Sequence, residues 1–185
     1  GLQHEDGHSH LISATVPNCI SWDPSFAFEV AVIIQDGLRR MNQEQEDVYY
    51  YITLMNENYT HPAMPDGAAG DILKGMYKLR DADGGPPTLA PLAAPAGGAA
   101  RARGGPSREQ IEGKSPRVQL LGSGVILREV IAAAELLKQD WGVDADIWSC
   151  PSFTELSREG NAVRRWNTLH PAEKPRMSHV ERCLK

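Results

Sequence analysis

Three histidines stand within seven residues near the start of the chain: His4, His8 and His10 in "HEDGHSH". The first five letters fit H-E-x-x-H, which binds zinc when a helix puts both histidines on one face and the glutamate serves as general base. The surroundings deny that geometry. Asp6 and Gly7 are poor helix-interior residues, no apolar periodicity encloses them, and no third ligand follows at a familiar spacing. A zinc hydrolase using His4 and His8 is therefore only a distant alternative, excludable by elemental analysis. A polar loop just ahead of a buried parallel strand is nevertheless where α/β proteins place working groups.

Two other stretches could carry chemistry. Gly122-Ser123-Gly124 follows a strand pattern and opens a helix pattern, the topology of a phosphate-binding turn. It lacks the full G-x-G-x-x-G and an acidic residue on a strand about twenty positions later, so a tight turn for close strand–helix packing is the preferred reading. No G-x-S-x-G elbow is present, which leaves Cys150 in "SCPSF" as the sole nucleophile candidate.

These groups need elements to hold them. The chain has 185 residues, 41% hydrophobic and 23% charged, which suits one ordinary domain or pieces of two. A net charge of -5 offers no footprint for nucleic acid or an anionic membrane. Cys19, Cys150 and Cys183 are too scattered for a disulfide framework and fit a reducing cytoplasm. No apolar run approaches the roughly 20 residues of a membrane span. The opening "GLQHEDG" without methionine and the close at "VERCLK" read as a piece of something longer.

A short strand is expected near Asn18–Ser21. A helix follows in "WDPSFAFEVAVIIQDGLRRM", capped by Asp23, with Pro24 first and Ala27, Val30, Ala31, Ile34 and Leu38 as its apolar stripe. "DVYYYITLMNEN" reads as a strand buried on both faces. Together they form a βαβ unit. "RVQLLGSG", then a helix carrying Ile126, Val130, Ile131, Ala134, Leu137 and Trp141 and stopped at Gly142, then "DADIWSCPSFTEL" as the next strand and turn form another. Between them a short amphipathic stretch around Ile72–Leu79 precedes a Gly/Pro/Ala-rich tract at about 82–115, read as a flexible linker or insertion, with Arg101, Arg103 and Arg108 as solvated charges.

In combination, "GLQHEDGHSH", "PNCISWDPSFAFEVAVIIQDGLRRM", "VYYYITLMNENYTHPAMPDG", "VQLLGSGVILREVIAAAELL" and "SFTELSREG…RRWNTLHP" resemble the homodimeric bacterial pyruvate dehydrogenases, the decarboxylating component of the pyruvate dehydrogenase complex, and more distantly transketolase. The resemblance implies an α/β fold of two partial parallel-sheet βαβ domains. Residues 1–62 would be the C-terminal part of a thiamine pyrimidine-binding middle domain. Residues 63–116 would be the interdomain linker with its insertion, and residues 117–185 the start of a transketolase-like C-terminal domain.

It also implies an activity. The whole enzyme would decarboxylate pyruvate with thiamine diphosphate and Mg2+ and reductively acetylate the lipoyl domain of the dihydrolipoyl acetyltransferase, yielding acetyl-CoA in the complex. It would act as a cytoplasmic homodimer. His4 would face the reaction centre and donate a hydrogen bond to the oxygen on which charge builds when a carbon nucleophile adds to the pyruvate ketone. An imidazole also exchanges a proton near neutral pH. The segment has no G-D-G…N motif for magnesium and diphosphate, and no cofactor-activating glutamate. Most cofactor ligands would therefore lie elsewhere, and the segment alone would be inactive. The competing reading is a non-catalytic α/β docking or structural module of the same descent.

Overall fold

The computed structural model describes residues 8–83 and 115–185, so His4 and nearly all of the Gly/Pro/Ala tract lie outside the described residues. Helix α1 (Ser9–Ser13) leads into strand β1 (Cys19–Trp22), helix α2 (Ala27–Leu38) and strand β2 (Tyr49–Ile52). Helix α3 (Ala69–Ile72) and strand β3 (Tyr77–Arg80) follow. The second half runs through β4 (Arg117–Gly122), α4 (Ile126–Leu136), β5 (Asp144–Ser149), α5 (Phe153–Leu169) and α6 (His179–Leu184). Helices α2 and α4 each pass into a π-helical turn, Arg39–Gln43 and Leu137–Trp141.

β1 and β2 pair in parallel, with Cys19 opposite Tyr49 and Trp22 opposite Ile52. In the second sheet β5 is central, parallel to β4 on one side and antiparallel to β3 on the other. The α/β class and the parallel pairing agree with the sequence. Strand β3 was not anticipated: it lies in the stretch read as linker and forms an edge of the second sheet.

The helix faces show why periodicity alone misleads. In α2 the expected stripe is the exposed one, with Ile34 46% and Leu38 53% accessible, while Glu29, Ile33, Asp36 and Gly37 are buried. Asp36 sits inside because its carboxylate accepts hydrogen bonds from Arg39 and the Tyr50 hydroxyl. The helix also starts later than Asp23 and Pro24 predict. Phe26 is its N-cap, and Glu29 reaches back to accept the Phe26 N–H at 3.0 Å and the Ser25 N–H. In α4 it is Leu127, Ile131 and Ala134 that are buried, and Ile126 and Trp141 face outward. β2 is only partly covered, with Tyr49 46% exposed, because β1 is its single strand neighbour among the described residues.

Glu29, at 0% exposure, ties the halves together. Besides the two amides of its own turn, its carboxylate accepts the Tyr77 hydroxyl from β3 and the Ser149 hydroxyl from β5, each at 2.6 Å. Burial first, then the Glu29 charge, raises the Tyr77 phenol well above its ordinary range. A second link comes from α5, which rests on β1. The Ser152 hydroxyl donates to Ser21 O at 2.7 Å, and Arg158 donates to Val16 O and Cys19 O.

Asp146, in the central strand of the second sheet, is 2% exposed. It accepts Arg117 Nε at 3.0 Å, Gln119 Nε2 at 2.6 Å and the Ala82 N–H at 2.8 Å. Burial opposes its charge, but Arg117, Ala82, Gln119 and Lys78 together outweigh it and hold the carboxyl down at about 2. A depressed folded-state value contributes stability above the ordinary carboxyl range and loses it as pH falls toward 2. Asp146→Asn removes that term. Denaturant titrations at stepped pH should show the advantage of wild type over the variant shrinking by about 2 kcal/mol between pH ~5 and ~2.

Candidate functional site

In α/β proteins, ligands bind beyond the carboxyl ends of parallel strands. Here those ends converge from both sheets. Asp23 follows β1, Thr53 follows β2 and Ser123 follows β4. The Asp23 N–H donates to Pro151 O, just past β5, at 2.7 Å, and the Gly124 N–H donates to Asp23 O at 3.0 Å.

The Asp23 side chain does not cap α2; it fills the Gly-Ser-Gly turn. Ser123 Oγ donates to Asp23 Oδ2 at 2.9 Å, and Thr53 Oγ1 donates to Asp23 Oδ1 at 2.7 Å. Gly124 has φ +50°, and a Cβ there would stand 2.6 Å from both carboxylate oxygens. At Gly122 a Cβ would meet Val130 Cγ2 at 2.9 Å and the Leu127 backbone at 3.1 Å. The turn thus closes on helix α4, and its anion-accepting side holds a carboxylate of this chain.

His10, expected in a polar loop, lies in helix α1 and meets the same network. His10 Nε2 lies 3.1 Å from Thr53 Oγ1, and the His10 ring meets Tyr51 edge-on with centroids 5.5 Å apart. The Thr53 hydroxyl, which also reaches Trp22 O at 3.2 Å, links His10 to Asp23. A relay results: His10 to Thr53 to Asp23, braced by Ser123 of the second half. It holds the His10 ring at the end of β2. His8 is exposed at the start of α1. His4 lies outside the described residues, and among those described no cluster of three His, Cys, Asp or Glu side chains could hold a metal ion.

A neighbouring group escaped the sequence reading. His61 Nδ1 accepts the Ala27 N–H at the first turn of α2 at 3.0 Å, and its ring stacks on Tyr59 at 4.6 Å. The Arg128 guanidinium lies 4.5 Å from the Tyr59 centroid and 3.1 Å from the Glu57 carboxylate. The loop after β2 is thereby pinned over the start of α2. A Thr-His-Pro sequence in the loop following a parallel strand was the available signal. Cys150 has no role as a nucleophile: it is fully buried, and burial, then the neighbouring Cys183 and Glu29, push its thiol up to about 12.

Comparison with known proteins places these elements. Residues 1–62 match the family model for the pyruvate dehydrogenase E1 component middle domain, and residues 107–183 match that for the transketolase-like C-terminal domain. The whole chain is 57% identical to the pyruvate dehydrogenase E1 component of Cupriavidus necator and 51% identical to that of Escherichia coli K12. Over 184 residues it is 52% identical to the one from Pseudomonas aeruginosa. The chain spans 18% of the length of each of these relatives.

The fit of the Asp23 carboxylate in its turn is open to a direct check. Gly124→Ala combines a left-handed backbone with a clash against Asp23, and should lower stability in urea by about 2–3 kcal/mol. Gly67→Ala, with φ +75° and no atom within 4 Å of its Cβ, isolates the backbone cost and should lose only about 1 kcal/mol.

Proposed function

Because this chain belongs to the pyruvate dehydrogenase E1 family, we propose that it serves in a thiamine diphosphate-dependent pyruvate dehydrogenase, as the region where the middle domain passes into the transketolase-like C-terminal domain. The enzyme decarboxylates pyruvate and reductively acetylates the lipoyl group of the acetyltransferase component. The observation that carries this reading is the 57% identity across all 185 residues, spanning both matched families in order. We place the pyrimidine-binding part at 1–62, the linker at 63–116 and the start of the C-terminal part at 117–185.

Among the described residues no three His, Cys, Asp or Glu side chains group together, and the cofactor's ligands are assigned outside this segment. This segment's contribution is positional and local. His4 donates a hydrogen bond to the pyruvate ketone oxygen as negative charge develops there, a role for which a preorganised donor is effective. The contacts from His10 through Thr53 to Asp23 hold helix α1 at the strand termini. The remaining ligands, the second subunit of a homodimer and the lipoyl partner act from outside this segment.

The test is His4→Ala in the full-length enzyme, assayed for pyruvate decarboxylation with an artificial electron acceptor beside thiamine diphosphate affinity. The rate should fall by about 10²-fold or more with cofactor affinity retained. An unchanged rate would remove His4 from the reaction. Failure of the wild-type enzyme to decarboxylate pyruvate would instead favour the non-catalytic module.

A further inference from the structure

Every cation of a folded protein sits either near a carboxylate or against solvent, and the distribution here is uneven. Fifteen lysines and arginines fall within the described residues. Eleven of them have a carboxylate oxygen within 4.0 Å. The four with no such partner among the described residues are Arg164, Arg165, Lys174 and Arg176, all on the second half of α5 and the loop that follows it. The only carboxylate in that stretch is Glu173. Among the described residues, the cations without a paired carboxylate therefore lie on one surface.

That surface is built. Asn167 Nδ2 donates to Arg176 O at 2.9 Å, and the Arg176 N–H donates to Asn167 Oδ1 at 2.8 Å, so the loop is stapled back onto α5. The Trp166 ring stacks on His170 at 4.5 Å and takes the Arg176 guanidinium 3.7 Å from its centroid. Arg176 is therefore held in place by backbone and aromatic contacts, while none of its guanidinium N–H groups has a hydrogen-bond acceptor among the described residues. Arg164 reaches only the neutral Asn161 Oδ1, at 2.9 Å.

Between α5 and the returning loop runs an open groove of about 440 Å3. Gly160, Val163, Arg164, Asn167 and Thr168 form one side, with Arg176 and Ser178 opposite. Glu181, at its edge, is already engaged by Lys185 at 2.5 Å. The α5 side spans positions 160 to 168, about 12 Å at the helical rise of 1.5 Å per residue. That is several times the size of a phosphate or a single carboxylate and matches a few residues of extended chain.

We infer that this groove docks an acidic polypeptide segment, whose Asp and Glu carboxylates pair with Arg164 and Arg176 of its walls, with Arg165 and Lys174 adding positive charge from the neighbouring positions of α5 and the loop. Guanidinium groups bind carboxylates in a bidentate fork, and preorganisation by Trp166 and Asn167 reduces the entropy lost on binding. Thr168 Oγ1, which donates to Arg164 O, keeps its acceptor function for a bound backbone, and Ser178 Oγ, which accepts the Glu181 N–H, keeps its donor function. A nucleic acid is disfavoured by the chain's net negative charge.

The probe is a fluorescein-labelled decaglutamate peptide titrated into the full-length protein that carries this segment, read by fluorescence anisotropy. Wild type should bind saturably at low salt and more weakly at roughly 0.3 M salt. Arg164→Glu with Arg165→Glu should weaken binding about tenfold or more, and Arg164→Gln with Arg165→Gln by a smaller factor in the same direction. Lys138→Gln, which removes a cation already paired with Asp144, should leave it unchanged. Four results would overturn the inference: no binding by wild type, equal affinity in the charge-reversed variant, preference for a labelled oligothymidylate, or a change in oligomeric state on charge reversal, which would make a second copy the occupant.

Discussion

A carboxylate with no access to solvent must have its charge met by donors, or it destabilises the fold that buries it. Glu29 meets that condition through four donors from three parts of the chain: two amides at the start of α2, the Tyr77 hydroxyl of β3 and the Ser149 hydroxyl of β5. Loss of the carboxylate would leave those donors buried and unpaired, at about 1–3 kcal/mol each. The geometry of the two halves follows from it. α2 belongs to the first βαβ unit and Tyr77 and Ser149 to the second sheet, so one side chain fixes where the first half's leading helix meets the second half's strands.

From that anchor the carboxyl edges of the two sheets are forced together. Trp22 ends β1, and the next residue, Asp23, already contacts Pro151, Gly124 and Ser123 of the other half. The Asp23 carboxylate then orders Thr53 and, through it, His10. Local packing in the C-terminal half therefore reaches His10 of helix α1 in three hydrogen bonds.

Much of this was legible in the sequence. The two βαβ patterns, the glycine turn after β4 and the stop at Gly142, whose φ is +66°, rest on local chemistry that a single chain displays. The family resemblance rested on long ordered blocks and carried further than any motif. Failures came where tertiary contacts override period. Ile34 and Leu38 look like core, but the helix turns Glu29 and Asp36 inward because each finds donors there. β3 is four residues long and exists only because β5 offers an edge, so no local signal announces it. α5 could have been found, since Ser152 accepts the Glu155 N–H at 3.2 Å in an S-x-x-E cap. His61 and Arg128 become site residues only through Tyr59, a contact across 69 positions that no spacing in the sequence records.

The claim on which the rest depends is that Glu29 couples the halves. A double-mutant cycle with Glu29→Leu and Tyr77→Phe, measured by urea unfolding, tests it most directly. The bond between them predicts that the double variant is more stable than the sum of the two losses implies, with a coupling energy of about 1.5–3 kcal/mol. Additivity within about 0.5 kcal/mol would mean that the two residues do not sense each other, and that something other than Glu29 holds the sheets in register.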